Sequence, residues 1–275
     1  MEKETQWRRL TARGFDAHAR SYDERVRRQA VIGRFRRVHR EFYARLFRPG
    51  STILELGCGT GEETLSLVDL GHRVIATDPS SAMLTHVAAK LRAPEAAAAV
   101  SLHQGAGPDF IRRLLAKSEA IGGVVSALGP LNCEPDLKAL ASALAPFLSP
   151  GTPLLLSPMA RFCPWEVLAL TLKGHPREAW RRFKPGPVRV NVSGRPIPVW
   201  YRSGEDISRA FSPHFTCIHQ RSLGLLLPPP YLSAHGRAPR WYDQVEKIER
   251  YIVARRPFRR WGDHLLMVFV RTREG

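Results

Sequence analysis

The spacing of apolar positions changes several times along the chain, and each change marks an element. Val31, Phe35, Val38, Phe42 and Leu46 recur three or four apart, which predicts an amphipathic helix across the arginine-rich stretch 25–48. Pro49 and Gly50 break it. Positions 52–56 form an apolar, β-branched run of strand length. After a glycine turn, 62–70 return to helical spacing through Leu65, Val68 and Leu67 or Leu70, with Gly71 as the stop. Positions 73–77 read as a second strand with Asp78 at its carboxyl end. The same alternation continues with a helix begun by Ser80 or Ser81, which buries Met83, Leu84, Val87, Ala88 and Leu91. A loop or helix tail at 94–99, a strand at 100–104, a helix at 109–118, a strand opening 122–132, a helix at 137–148 and a strand at 153–157 follow. Strand and helix in alternation predict an α/β fold with a parallel sheet.

Beyond 157 the alternation fails. Residues 158–204 hold a helix at 165–174, a basic patch at 177–184 and two β-branched segments around Ser193, Gly194 and Arg195, the composition of a hairpin. Regular pattern returns with a helix at 203–211, a strand at 215–227, an exposed loop PPPYLSAHGR, a helix at 242–254 and a closing strand LLMVFVR. An insertion after the fifth strand stands over the carboxyl edge of the sheet, where ligands bind in open α/β folds.

The candidate chemistry sits at 55–61, E-L-G-C-G-T-G. Glycines let the backbone pass close to a ligand, and the helix that follows aims free N–H groups at it. Asp78, placed after the second strand, can accept two hydrogen bonds from a ribose diol. A ribose-bearing cofactor is therefore expected. The nicotinamide-type G-x-G-x-x-G needs glycine at 62, but Glu62 stands there and would repel a pyrophosphate.

The pattern resembles motif I of the class I S-adenosylmethionine-dependent methyltransferases of the small-molecule type. The resemblance implies a Rossmann-like, seven-stranded, mostly parallel sheet with helices on both faces. It divides the chain into a helical cap at 1–50 and the methyltransferase domain at 51–275, with 158–204 as a substrate lid. By the same resemblance Gly57, Cys58, Gly59 and Gly61 cradle the methionine and ribose of S-adenosyl-L-methionine, and Glu55 faces its cationic end. Pro79 and Met83 lie against the adenine, and Ser126, Ala127 and Leu128 border the methionine. Many relatives carry an acid after the third strand; here Gly105 is followed by Ala106, so adenine recognition falls to backbone groups. In the segment GFDAHARSYDE, Tyr22 corresponds to a tyrosine near the sulfonium, with Phe15 packing beneath it; both also fit one apolar helical stripe.

The acceptor is less defined. Asn132, at the pocket mouth, orients a substrate or caps a loop. Phe162, Trp165, His175, Trp180, Phe183, Trp200 and Tyr201 are candidates for an aromatic chamber, or for the insertion's own small core. Methyl transfer needs a base only if the acceptor holds a proton at neutral pH. His175 has the best position for one; His18, His103, His235 and Tyr201 are alternatives, and Asp263 with His264 reads as structural. O-, N- or C-methylation of a hydrophobic or aromatic metabolite is the leading expectation.

Composition adjusts this at the edges. A chain of 275 residues suits one large α/β domain with an insertion. Four scattered cysteines without C-x-x-C spacing support neither a metal site nor a disulfide framework. The start lacks a signal-peptide core and no apolar run is of spanning length, so a cytoplasmic protein with no membrane partner is expected. The net charge of +17 admits nucleic acid as a partner, but arginines on a solvated helix explain it as well. An RNA or protein methyltransferase, or a non-catalytic cofactor-binding subunit, are the alternatives. Oligomeric state is not legible.

Overall fold

The computed structural model describes residues 2–233 and 239–273. The histidine at 235, one of the candidate bases, lies outside them. Two helices open the chain, α1 (Glu2–Arg27) and α2 (Ala30–Leu46), so the arginine-rich stretch is split at Arg28 and Gln29. Then come β1 (Thr52–Leu56), α3 (Glu62–Asp69), β2 (Arg73–Asp78), α4 (Ser81–Lys90), the short α5 (Pro94–Ala98) and β3 (Val100–Gln104). The second half of the nucleotide fold is α6 (Pro108–Leu115), β4 (Gly123–Ser126), α7 (Leu137–Leu144) and β5 (Pro153–Leu156). The insertion holds α8 (Pro164–Leu172), α9 (Pro176–Ala179) and the hairpin β6 (Val188–Val192) and β7 (Arg195–Val199). α10 (Gly204–Phe211), β8 (Phe215–Leu223), α11 (Trp241–Ile252) and β9 (His264–Arg271) complete it.

The sheet has seven strands in the order β3-β2-β1-β4-β5-β9-β8. β1 pairs in parallel with β2 and β4, β2 with β3, and β4 with β5. β9 runs antiparallel between β5 and β8. The Rossmann-like expectation holds, with the last strand inserted as the antiparallel partner. β1, β4 and most of β5 are buried along their length, as strands covered on both faces must be. Two apolar layers do the covering. Leu54, Ile111, Leu140, Leu144, Leu154 and Phe211 belong to one, and Val31, Phe35, Tyr43, Ile53, Val125 and Leu155 to the other.

Three arginines of α2 are paired with acids of neighbouring helices. Arg34 pairs with Asp243 and, at 3.1 Å, with Glu246; Arg36 lies 3.4 Å from Glu63 and 3.7 Å from Glu62; Arg40 lies 3.3 Å from Asp69. Much of this basic face is neutralised by α3 and α11. No described helix is long and apolar enough to cross a membrane.

Candidate active site

A cavity of about 560 Å³ opens at the carboxyl edge of β1, β2 and β4, where the parallel sheet leaves its loops. The glycine turn forms its floor. Gly59 has φ +52, and a Cβ built there meets nothing within 4 Å, so the space over it is open to a ligand. Gly61 plays a different part. It has φ +86 just before α3, and a Cβ there would come within 2.8 Å of Val87, so its smallness lets α3 settle on α4. Gly61 packs behind the turn and is not among the residues lining the cavity.

Asp78 does two jobs. Its carboxylate accepts the Gly59 N–H at 2.9 Å and the Ser80 N–H at 2.8 Å, fixing the turn and the entry to α4. Each oxygen accepts one bond and keeps a further lone pair, and Asp78 lines the cavity. Burial pushes its carboxyl up to about 6, aided by Asp16, while the two backbone bonds oppose the shift. Glu55 is buried in β1, accepts the Thr64 hydroxyl at 2.6 Å, and is pushed up to about 8, chiefly by burial and also by Glu63 and Asp78. Ser126 donates its hydroxyl to the Leu56 carbonyl at 3.2 Å, tying the ends of β1 and β4. Leu128 follows in the left-handed region at φ +58, which is strained for a branched side chain.

Gly57, Cys58, Pro79, Met83, Gly105, Ala106, Ser126, Ala127 and Leu128 line this cavity together with Glu55, Gly59 and Asp78. A nucleoside with an amino-acid tail fits such a donor set: an open turn, the Glu55 and Asp78 carboxyls, and apolar lining that includes Met83 and Ile111.

α1 closes the cavity from above. Gly14 lets it approach β7 so tightly that a built Cβ would sit 2.4 Å from Ile197 Cγ2. Asp16 accepts the Ser80 hydroxyl at 2.6 Å, and Asp23 accepts the Thr60 hydroxyl at 2.5 Å and pairs with Lys90 at 2.8 Å. His18 shares a 2.7 Å hydrogen bond with Ser193 at the hairpin turn. Arg8 reaches Glu134 at 2.9 Å. Tyr22 lines the cavity, its ring edge-on to His18 at 5.3 Å. Burial raises its phenol, as do the Asp78, Glu63 and Asp23 carboxylates, against the opposing charge of Arg36.

The acceptor candidates divide. Tyr201 is buried, lines the cavity, and lies under the Arg182 guanidinium at 5.2 Å. Asn132 lines it too, but its amide is committed. It accepts the Met159 N–H at 2.7 Å and donates to the Met159 carbonyl at 3.2 Å and the Trp200 carbonyl at 2.9 Å. The amide pins β7 to the sheet, with both N–H groups spent and one lone pair of Oδ1 left over. Trp200 is buried edge-on against Trp7 at 5.1 Å, outside the lining. Trp165 donates its indole N–H to the Leu226 carbonyl at 2.5 Å and packs the insertion onto the body. His175 is exposed at the start of α9, away from the cavity, so its position gives it no reach to a reacting atom. His103 sits on β3 at a different edge of the molecule, and no described histidine lines the cavity.

Asp263 and His264 serve structure. Burial works to raise the Asp263 carboxyl, but His264 at 3.0 Å and Arg182 at 2.8 Å outweigh it and hold it well below the usual range. Arg182, itself buried, bonds Glu166 at 2.6 Å and the carbonyls of Ala160 and Asp263, which locks the insertion to β9.

Several lining residues had no sequence argument behind them. Arg8 and Thr11 precede Phe15 and Tyr22 at spacings of three, four and seven on α1, so helical periodicity could have found them. Arg36, Met159, Arg181 and Tyr231 arrive from distant elements, and only the fold brings them in.

Sheet order, glycine turn and acidic residue together are those of the class I methyltransferase fold. Residues 53–151 match the family described as "Methyltransferase domain". The demethylmenaquinone methyltransferase of Symbiobacterium thermophilum is 40% identical over 87 residues, which is 30% of this chain and 33% of that enzyme. The match thus spans about a third of the relative's length. Among solved structures, the DhpI complex with S-adenosylhomocysteine has TM-score 0.55 at 15% identity, covering 98% of each chain. A methyltransferase bound to the Haloferax volcanii activator Trm112 has TM-score 0.59 at 18% identity, covering 94% of this chain and 98% of that one. The CcbJ methyltransferase of Streptomyces caelestis has TM-score 0.54 at 14% identity, covering 86% and 89%. At these identities the solved structures speak for the fold.

Proposed function

We propose that the whole chain acts as a methyltransferase on a small, apolar or aromatic metabolite, with 158–204 as its acceptor lid and 1–50 as a cap. The observation that carries this reading is the wall facing the glycine turn. Phe15, Val190, Val192, Ile197, Val199 and Tyr201, from α1 and the hairpin, present an apolar surface across the cavity. A polymer substrate would need an open, polar groove in their place.

When bound, S-adenosyl-L-methionine would supply a methyl group activated on a sulfonium, with a neutral thioether as the leaving group. Asp78 would accept from the ribose hydroxyls, and Glu55, braced by Thr64, would face the cationic tail. Met83, Pro79 and Ile111 would offer apolar contact to the base, and the backbone at Gly105 and Ala106 would meet its edge. α1 and the hairpin would exclude water, and Tyr22, which lines the cavity, would stand near the reacting centre. Alignment and desolvation are the protein's main contributions. With no described histidine in the lining, the favoured acceptors are those deprotonated near neutral pH without help, such as a carboxylate, an aromatic amine, an acidic phenol or a stabilised carbanion.

The test is transfer of a radiolabelled methyl group from the cofactor to a panel of lipophilic phenols, amines and acids, with tRNA and protein offered in parallel. Label in the solvent-extractable fraction is expected. Label confined to RNA or protein refutes the small-molecule reading. Tight cofactor binding with no transfer to any acceptor supports a non-catalytic subunit. The pairing of Arg34, Arg36 and Arg40 with acids of the same chain weighs against a nucleic-acid surface on α2.

A further inference from the structure

The outer side of the insertion carries a feature that the cavity does not use. Every residue from Thr171 to Glu178 is exposed. Leu168 and Leu172, one helical turn apart at the end of α8, are 54% and 79% exposed. Trp180 is 52% exposed and lies 5.4 Å, ring to ring, from the exposed Phe183. Lys173, Arg177 and Lys184 are interleaved with them and form no ion pair among the described residues, unlike the arginines of α2. Glu178 is the one acid between 171 and 187. The patch adjoins the cavity mouth: Arg181 and Tyr231 line the cavity, the guanidinium lies 5.8 Å from the centre of the phenol ring, and Tyr231 is itself 44% exposed.

Single exposed apolar side chains are ordinary, but large ones grouped among unpaired cations are not. Tryptophan and phenylalanine beside leucine, ringed by lysine and arginine, match the boundary between acyl chains and anionic headgroups. We propose that this face seats the protein peripherally on an anionic lipid surface. Leu168, Leu172, Trp180 and Phe183 enter the headgroup boundary, and Lys173, Arg177 and Lys184 meet the phosphates. A second copy of a chain with net charge +17 would be repelled from so basic a face, and the leucines have no use on a nucleic acid. Seated this way, the mouth beside Tyr231 opens toward the bilayer, where an apolar acceptor is concentrated. That consequence rests on the proposed function; the docking itself does not.

The test is flotation of the full chain with vesicles of phosphatidylcholine, alone or mixed with phosphatidylglycerol. Binding to the mixed vesicles is expected, with loss at high salt. Leu172→Ser with Trp180→Ser should weaken it roughly tenfold through lost apolar insertion. Lys173→Gln with Lys184→Gln should weaken it about 25-fold, at about fivefold per cation. All four positions are exposed, and unchanged thermal unfolding checks that the variants fold. No binding to mixed vesicles, equal binding to phosphatidylcholine alone, or doubly substituted chains that bind like wild type would each overturn the proposal. So would a dimer in ultracentrifugation that Trp180→Ser dissolves, or RNA binding lost in the same variants. Vesicle binding is read without any acceptor, so its failure leaves the methyltransferase reading intact.

Discussion

Replacing Asp78 by asparagine keeps the side chain's shape and one acceptor oxygen while deleting the charge. The carboxyl is buried and raised from 3.8 to about 6, so in the cofactor-free protein it is about nine-tenths ionised at pH 7 and about one-tenth ionised at pH 5. If the ionised form is what accepts the ribose hydroxyls, Asp78's own share is a fall of about tenfold in affinity for S-adenosylhomocysteine between pH 7 and pH 5, read in a Glu55→Gln background because proton release at Glu55 adds to the slope. A charge-assisted hydrogen bond contributes about 1.5–3 kcal/mol, so Asp78→Asn should weaken binding roughly 10- to 150-fold at pH 7 and remove that share of the pH dependence. Stability moves the other way. A folded-state pKa above the unfolded one means the fold prefers the protonated carboxyl. Its contribution is complete below pH 3.8 and is lost as pH rises through 6. Relative to the neutral asparagine variant, the cofactor-free wild type should therefore lose on the order of 3 kcal/mol between pH 4 and pH 7. Titration calorimetry gives the affinity and thermal unfolding the stability. A wild-type affinity that is flat from pH 7 to 5, or an asparagine variant that binds as tightly, refutes the assignment.

Glu55 titrates in a separate window. Raised to about 8, it is mostly protonated at pH 7, and a cationic tail beside it should expel that proton. Calorimetry in buffers of different ionisation enthalpy should show proton release that Glu55→Gln abolishes; no buffer dependence in wild type counts against the contact. Tyr22→Phe should lower kcat/KM roughly tenfold and leave homocysteine-cofactor affinity within about twofold, since no cofactor contact is asked of the hydroxyl; an unchanged rate reduces Tyr22 to packing. Gly14→Ala should destabilise by about 1–3 kcal/mol by forcing α1 off Ile197, and the double variant with Ile197→Ala should lose less than the two single losses summed. A harmless Gly14→Ala contradicts the close approach. Arg182→Met strands Glu166 and Asp263 in the interior and should cost about 3–5 kcal/mol by urea unfolding, less in acid, where the carboxylates can take up protons.

Residues 52–80 were readable because every signal there is local. The β-branched run, the glycines, the helical period and the terminal acid lie on one contiguous stretch, and each constrains its neighbour's conformation directly. β1 and α3 start where the pattern placed them, and Ser80 is the cap of α4, accepting the Met83 N–H at 3.1 Å. Boundaries slipped where a local signal met a tertiary one. The arginine-rich helix breaks at Gln29 because α1 must cross the cavity while α2 packs on the sheet, and an apolar period is blind to that change of direction. The strand expected at 215–227 ends at Leu223 because Gly224 turns with φ +65 against Phe35, and Leu225 and Leu227 are buried as loop.

The insertion shows where the reading stops. An irregular segment has no period, so its aromatic residues carry no mark of which way they face. Trp165, Trp200, Tyr201 and Trp180 are chemically alike in sequence, yet they pack the body, back Trp7, line the cavity and face water, respectively. What separates them is long-range: the Asn132 amide holds β7 down at Trp200, and Arg182 ties α9 to β9 across 81 residues. Asn132 illustrates the limit best. A neutral amide at a pocket mouth suits a ligand or a loop equally well, and the choice was made by a hairpin passing overhead some 68 residues later. Most of the proposed cofactor half of the site is written between Glu55 and Met83, with additions from the ends of β3 and β4, whereas the proposed acceptor half exists only where α1, the hairpin and Tyr231 converge. Substrate specificity should therefore respond to substitutions scattered over all three, and cofactor affinity to substitutions between Glu55 and Met83.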